Sequence, residues 1–296
     1  MPSPSAAYLV PGATGYQGGA VARELLKAGH RVHALVRDST KPAAKELEAL
    51  GAVLFVGDYS NADAINKATV GAKGVFINPF PDMVNPEGEA PQVRRFVEAA
   101  LAAGTVEHLV ISTAFHVQNH LDWLTAHPGS ILEAYYKSKI GAEEVVRNSG
   151  VKYWTVLRPP WLMHNYLFPH CTFHYPKLHD ERIFKTALTR DAEIAHFDPA
   201  DLGRFAAAAF AHPETFAGKE IELGSVNLST EEVAIAISGR MGSFRAAATD
   251  FQNQSGASIS PEELSTVKSY GIPLTTFTEF LQNNKAAVLA TLKIDT

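Results

Sequence analysis

The stretch Ala6-Ala-Tyr-Leu-Val-Pro-Gly-Ala-Thr-Gly-Tyr-Gln-Gly-Gly19 runs from a short apolar segment into glycines, after which Val21, Leu25 and Leu26 recur at helical spacing as far as Gly29. A strand that breaks into a glycine turn and then a helix predicts the start of a βαβ unit. Gly12, Gly15 and Gly18 lack a Cβ, so the chain can turn sharply there and let a phosphate approach the amides at a helix N-terminus. Their GxxGxxG spacing is one residue wider at the first gap than the GxGxxG dinucleotide fingerprint, so the generic motif fits only loosely.

Outward from this stretch, apolar strand-like runs at 6–11, 31–36, 52–57, 74–78, 107–112 and 151–157 alternate with helix-like segments at 19–28, 41–50, 61–69, 89–103 and 130–148. That alternation predicts an α/β fold with a doubly wound parallel sheet, its ligand edge at the C-terminal ends of the strands. Past Arg158-Pro159-Pro160 the composition changes to a loop-rich, histidine-containing stretch. We therefore expect a nucleotide-binding domain over 1–158 and a smaller substrate-covering lobe over 159–296, with 192–225 returning to the core. Asp198-Pro199 opens an alanine-rich helix, and Ser229-Thr-Glu-Glu232 and Ser260-Pro-Glu-Glu263 are capping signatures of two later ones.

The 296 residues are 46% hydrophobic, enough for a large core, and a net charge of -5 without a basic stripe disfavours nucleic-acid binding. Cys171 is the single cysteine, which excludes an intrachain disulfide. No secretory signal pattern or membrane-length apolar run is present, so a soluble cytoplasmic protein is expected, with a homodimer left open.

The strand His33-Ala34-Leu35-Val36 ends in Arg37, with Lys41 four residues on. An arginine here suits a ribose 2′-phosphate, so NADPH is the expected cofactor; Asp38, next in line, could hold a 2′-hydroxyl instead. Asp58, after the third strand, could accept from an adenine amino group or cap the next helix.

Taken in order, Gly12-Ala-Thr-Gly-Tyr-Gln-Gly18, Ala34-Leu-Val-Arg-Asp38, Gly57-Asp58, Gly71-Ala-Lys-Gly-Val-Phe76, Ser138-Lys139 with Glu143, Leu157-Arg-Pro159, and Asp198 with Asp201-Leu-Gly203 form a set. The set resembles the NmrA-like branch of the atypical short-chain dehydrogenases over about residues 6–225. The resemblance implies a Rossmann-type domain binding a nicotinamide dinucleotide and a variable C-terminal lobe. It extends both to working reductases and to cofactor-sensing regulators. Pro11 departs from the pattern, standing where Thr, Phe or Ile is more usual. Within this frame Gly12, Thr14, Gly15, Tyr16, Gln17, Gly18, Arg37, Lys41, Asp58, Asn78, Phe80 and Lys139 are the expected cofactor contacts.

Carbonyl reduction needs a proton donor and groups that polarise the carbonyl. Tyr135 and Lys139, four apart on a predicted helix, share a face about 40° apart, while Tyr136 would point elsewhere. Ser112 and Thr113 end the fifth strand. Ser112, Tyr135 and Lys139 resemble the Ser/Tyr-x-x-x-Lys arrangement of catalytic short-chain dehydrogenases. Lys139 would bond ribose and lower the Tyr135 pKa, while Ser112 would orient the substrate; alternatively the tyrosines only pack the helix. The loop Asn78-Pro-Phe-Pro-Asp82 should border the nicotinamide, and Phe80, His116, Trp161, Met163, His164 and Phe168 are the expected lining of an aromatic pocket for a polycyclic ketone or quinone. The histidines lack HExxH or a third carboxylate ligand, so no metal site is expected. The reading is an NADPH-dependent reductase of a small-molecule carbonyl or quinone; its alternative is a non-catalytic dinucleotide-sensing regulator.

Overall fold

The computed structural model describes residues 6–81, 88–130, 132–186, 188–189, 191–238, 245–246 and 257–293. The chain divides into two compact units, one formed by 1–158 with 200–221 and the other by 159–199 with 222–296.

In the first unit, strands β1 (Ala7–Pro11), β2 (Arg31–Val36), β3 (Val53–Val56), β4 (Ala72–Ile77), β5 (His108–Ser112) and β6 (Tyr153–Arg158) pair in parallel in the order β3-β2-β1-β4-β5-β6. The strand Lys219–Glu222 adds a seventh beside β6. Helices cover both faces of such a sheet, which is why β1 and β5 read as unbroken buried runs rather than alternating ones. The covering helices include α1 (Tyr16–Lys27), α2 (Pro42–Ala49), α3 (Ala62–Thr69), α4 (Glu89–Ala103), α5 (Val117–Ala126) and α6 (Leu132–Arg147). Leu9, Val75, Leu109, Ile111 and Val156 are wholly buried along the sheet, each burial stabilising by roughly 1.5–3 kcal/mol.

The strand order reverses between β1 and β4, so the crevice beyond their C-terminal ends receives the glycine loop from one strand and Asn78 from the other. Gly104 ends α4 in the left-handed conformation (φ +64°), the usual stop for a helix of this kind. The helix Pro199–Ala211 belongs mainly to the same unit and seats Phe210 against Tyr8, ring centroids 4.6 Å apart.

Two sequence expectations change. α1 begins at Tyr16, three residues before the expected start, with Gly18 and Gly19 inside its first turn, where glycine's poor helix propensity hid it. α5 was not expected, although Val117, Leu121 and Leu124 mark one helical face.

The second unit is built on a three-stranded sheet in which Glu193–Phe197 pairs antiparallel with Val226–Ser229 and parallel with Trp161–Leu162. Ser229 and Glu232 exchange the reciprocal bonds of a capping box, as do Ser260 and Glu263. Its core gathers Met163, Tyr166, Cys171, Val233 and Phe280. No helix among the described residues is long and apolar enough to cross a membrane.

Candidate functional site

Gly12 turns the chain out of β1 with φ +61°, donates its N–H to the Leu35 carbonyl of β2 (3.1 Å) and accepts at its own carbonyl from the Gly15 N–H (2.9 Å). A Cβ on Gly18 would lie 2.4 Å from the Gly12 oxygen, inside any permitted contact, so the first turn of α1 can close on the loop only with glycine there. Gly15 caps α1 without a side chain, and Thr14, Gly15 and Tyr16 are exposed. The loop is also braced from outside. The Tyr59 hydroxyl donates to the Asn78 carbonyl (2.7 Å) and sits over Gly12, 2.8 Å from where a Cβ would stand. Tyr59 was not among the expected site residues; its place directly after Gly57-Asp58 is the signal that could have found it.

Arg37 is exposed at the end of β2. Asp38 accepts from the Thr40 amide (2.8 Å) and hydroxyl (2.6 Å), with Lys41 Nζ 4.0 Å away. Asp58 accepts likewise from Ser60, bonds that hold its carboxyl below the usual range, with a smaller contribution from the Arg37 charge. The cap of α3 is Asn61, which accepts from the Ala64 N–H (3.0 Å), so Asp58 does not fill the capping role weighed for it.

Ser112, fully buried at the end of β5, donates to Gln17 Oε1 (2.6 Å) and thereby fastens β5 to the first turn of α1. On α6, Lys139 Nζ pairs with Glu89 Oε2 at 3.0 Å, both side chains all but sealed from solvent, and stands 5.2 Å from the centroid of the Tyr135 ring. The Ser138 hydroxyl accepts the Glu89 N–H (3.1 Å), so α4 begins with two ties to α6. Burial, with the Glu89 charge second, pushes the Tyr135 phenol well above its ordinary range. That is opposite to the lowering expected from Lys139, first because the phenol is buried and second because Glu89 sets a carboxylate beside the lysine. Tyr136 is not turned away entirely: its ring meets that of Tyr135 edge-on at 5.0 Å and stacks on His120 at 4.9 Å.

Below this cluster, buried Glu143 accepts from Thr113 Oγ1 (2.7 Å), from Arg158 and from Arg147, and both arginines reach Glu220. Four charged groups thus lock α6, β6 and the strand at 219–222 together.

Phe80 is exposed, its backbone N–H and carbonyl both bonded by the Gln92 amide (2.9 and 3.1 Å), which pins the loop after β4 to α4. Asp82 lies outside the described residues. His116 takes the left-handed conformation (φ 47°) and stacks on Phe115. In the second unit Met163 is fully buried, Trp161 packs on the same core, His164 meets Phe280 edge-on, and Phe168 is exposed and stacked on His179. A cleft of about 840 Å³ lies elsewhere, among α4, α5 and α6 beside Arg94, Leu121, Lys137 and Glu144, and none of the expected site residues lines it. No group of three potential metal ligands occurs among the described residues.

The sequence profile of the NmrA-like family matches residues 5–254. The chain belongs to the NmrA-like family. An NmrA-like family domain-containing oxidoreductase, notA, from Aspergillus sp. (strain MF297-2) is 36% identical over 137 residues, 44% of this chain and 39% of that protein. The match thus spans well under half the length of that relative. The crystal structure of NmrA, a negative transcriptional regulator, in complex with NAD superimposes with a TM-score of 0.74 at 20% identity, covering 94% of each chain. An NADPH-dependent quinone oxidoreductase from Escherichia coli complexed with NADPH gives 0.69 at 22% identity, covering 94% of this chain and 99% of that one. These two likenesses establish the shared fold of the NmrA-like chain.

Proposed function

We propose that this NmrA-like protein is an NADPH-dependent oxidoreductase that reduces a carbonyl or quinone of an aromatic or polycyclic small molecule. The observation that carries the reading is Lys139 Nζ standing 5.2 Å from the ring of Tyr135, in the unit that also holds the glycine loop. That loop fits a dinucleotide: Gly18 lets the first turn of α1 close on Gly12, Gly15 caps the helix without a side-chain hydrogen bond, and Thr14, Gly15 and Tyr16 are exposed. A diphosphate would take Gly12, Thr14, Gly15, Tyr16 and Gln17; Arg37 and Lys41 would hold the 2′-phosphate, Asp58, Asn78 and Phe80 the flanks, and Lys139 a ribose.

When bound, the reduced dinucleotide supplies hydride. Tyr135 would hold the substrate oxygen and give it a proton. Ser112 would steady the loop through Gln17, since its hydroxyl already donates there. The oxidoreductase naming of the relatives and the NADPH-bound quinone oxidoreductase support the enzyme reading.

The test is consumption of NADPH, with NADH in parallel, against a panel of quinones and aromatic ketones. Turnover that prefers NADPH supports the proposal. Tight NADPH binding without oxidation by any acceptor favours the second reading, a dinucleotide-sensing regulator. The engagement of the Ser112 hydroxyl by Gln17, which takes it from the substrate, is the feature that favours that alternative.

A further inference from the structure

Glu89 is a wholly buried carboxylate in the first turn of α4. A charge buried to that degree costs several kcal/mol unless it is compensated, so its position needs a reason. Its ammonium partner is Lys139, 3.0 Å away, and that same ammonium stands over the Tyr135 ring. In a Tyr-x-x-x-Lys pair acting alone, an unopposed lysine charge would favour the phenolate. Here the Glu89 carboxylate pairs with that ammonium at 3.0 Å, so a negative charge opposes the lysine's at the phenol.

We propose that Glu89 is a positioning residue that holds Lys139 beside Tyr135 and cancels its charge, keeping Tyr135 a protonated phenol that donates a proton rather than accepting one. The proposal deepens the reading of Tyr135 as the proton donor and rests on it. In the donating direction the phenol O–H bond breaks, its proton passes to the alkoxide oxygen of the reduced product, the bonding electrons stay on the phenol oxygen, and water returns the proton. An alkoxide is a far stronger base than a phenolate, so the transfer runs downhill even from a weakly acidic phenol. In the reverse direction an alcohol would have to find a phenolate, which the Glu89 charge disfavours.

Among the described residues, the titratable and charged groups around Tyr135 are few. Lys139 and Tyr136 lie on α6 itself and Glu89 comes from α4. From α5, His120 reaches Tyr136, and burial lowers its pKa, so it brings no charge near neutrality. From β5, Ser112 is engaged with Gln17, and the Thr113 hydroxyl is engaged with Glu143, whose charge is met by Arg147 and Arg158. Glu89 is therefore the group whose removal should move Tyr135.

The experiment is an ultraviolet tyrosinate titration of the cofactor-free protein, with Glu89→Gln, Tyr135→Phe and the double variant. Subtracting each Tyr135→Phe curve from its parent isolates Tyr135 from the other tyrosines. We expect the Tyr135 component to move down by about one pH unit or more in Glu89→Gln. An unchanged or upward-shifted component overturns the proposal. Should Glu89→Gln fail to fold, Glu89→Asp, with its carboxylate drawn back by one methylene, must give a smaller downward shift, and no shift there overturns it equally. The titration needs neither dinucleotide nor acceptor. Its failure therefore leaves the reductase reading standing, and failure of every acceptor leaves the titration result standing.

Discussion

Ser112 Oγ donates to Gln17 Oε1 across 2.6 Å, joining the end of the fifth strand to the first turn of the glycine-loop helix. On the proposed function, a hydroxyl so engaged and so buried would act on bound nucleotide through the loop. Ser112→Ala should therefore weaken NADPH binding several-fold, since one buried hydrogen bond is worth about 1 kcal/mol. Fluorescence titration of NADPH measures it. In a double-mutant cycle with Gln17→Ala the two losses should be less than additive. Full additivity would mean that the pair does not act as a unit.

Gly18→Ala places a methyl 2.4 Å from the Gly12 oxygen, and the obstacle is backbone that cannot step aside. Gly15→Ala meets that same oxygen at 3.3 Å with an ordinary extended φ of -86°. The first change should cost about 1–3 kcal/mol of stability and at least tenfold in NADPH affinity, the second much less. Chemical denaturation and dinucleotide titration of the two variants give the comparison.

Arg37→Gln should lower the ratio of NADPH to NADH affinity by about tenfold or more, because a charge-assisted bond to a 2′-phosphate is among the stronger polar contacts. The change should fall on NADPH alone. Equal weakening of both dinucleotides would mean that Arg37 does not read the phosphate.

Much of this arrangement was legible in the sequence. β2 and α4 occupy the expected residues, because a β-branched and apolar stretch closed by Gly29 and Arg37 and a long helical period stopped by Gly104 left no competitor. α5 escaped because His116, Asn119, His120 and Asp122 bring weak helix propensity and its apolar face is narrow. The glycine loop, Arg37 and Lys139 could be named from local pattern. Glu89 could not: it meets Lys139 from fifty residues away, through packing of α4 on α6, and no local spacing encodes that pairing. The sign of the Tyr135 shift failed because burial of the phenol, set by tertiary packing, outweighs the lysine, with the Glu89 charge second. The Asp58 cap failed more simply, since Asn61 stood closer to the helix start.

His108 and His196, both buried, and the half-buried His164 make stability sensitive to acid. His108 Nε2 lies 2.8 Å from Thr155 Oγ1, which itself donates to the Phe216 carbonyl, so the ring must donate at Nε2. His196 donates from Nδ1 to the Ile194 carbonyl and accepts at Nε2 from the Tyr166 hydroxyl (2.7 Å). Burial holds both neutral, with pKa values lowered from 6.5 to about 4. An unfolded chain takes up these protons below pH 6.5 while the folded one refuses them until about pH 4. The unfolded state thus binds more protons in that window, and stability must fall as pH falls through it. Above pH 6.5 the two histidines contribute no slope, and below about pH 4 their contribution levels off. Each is worth about 3 kcal/mol across the window. His108→Gln, which keeps a donor for Thr155, should remove its share of the slope between pH 6.5 and 4 and leave the slope above pH 6.5 unchanged. Urea denaturation at a series of pH values reads this directly, and a slope as steep as that of the native protein would mean that His108 already carries its proton in the fold.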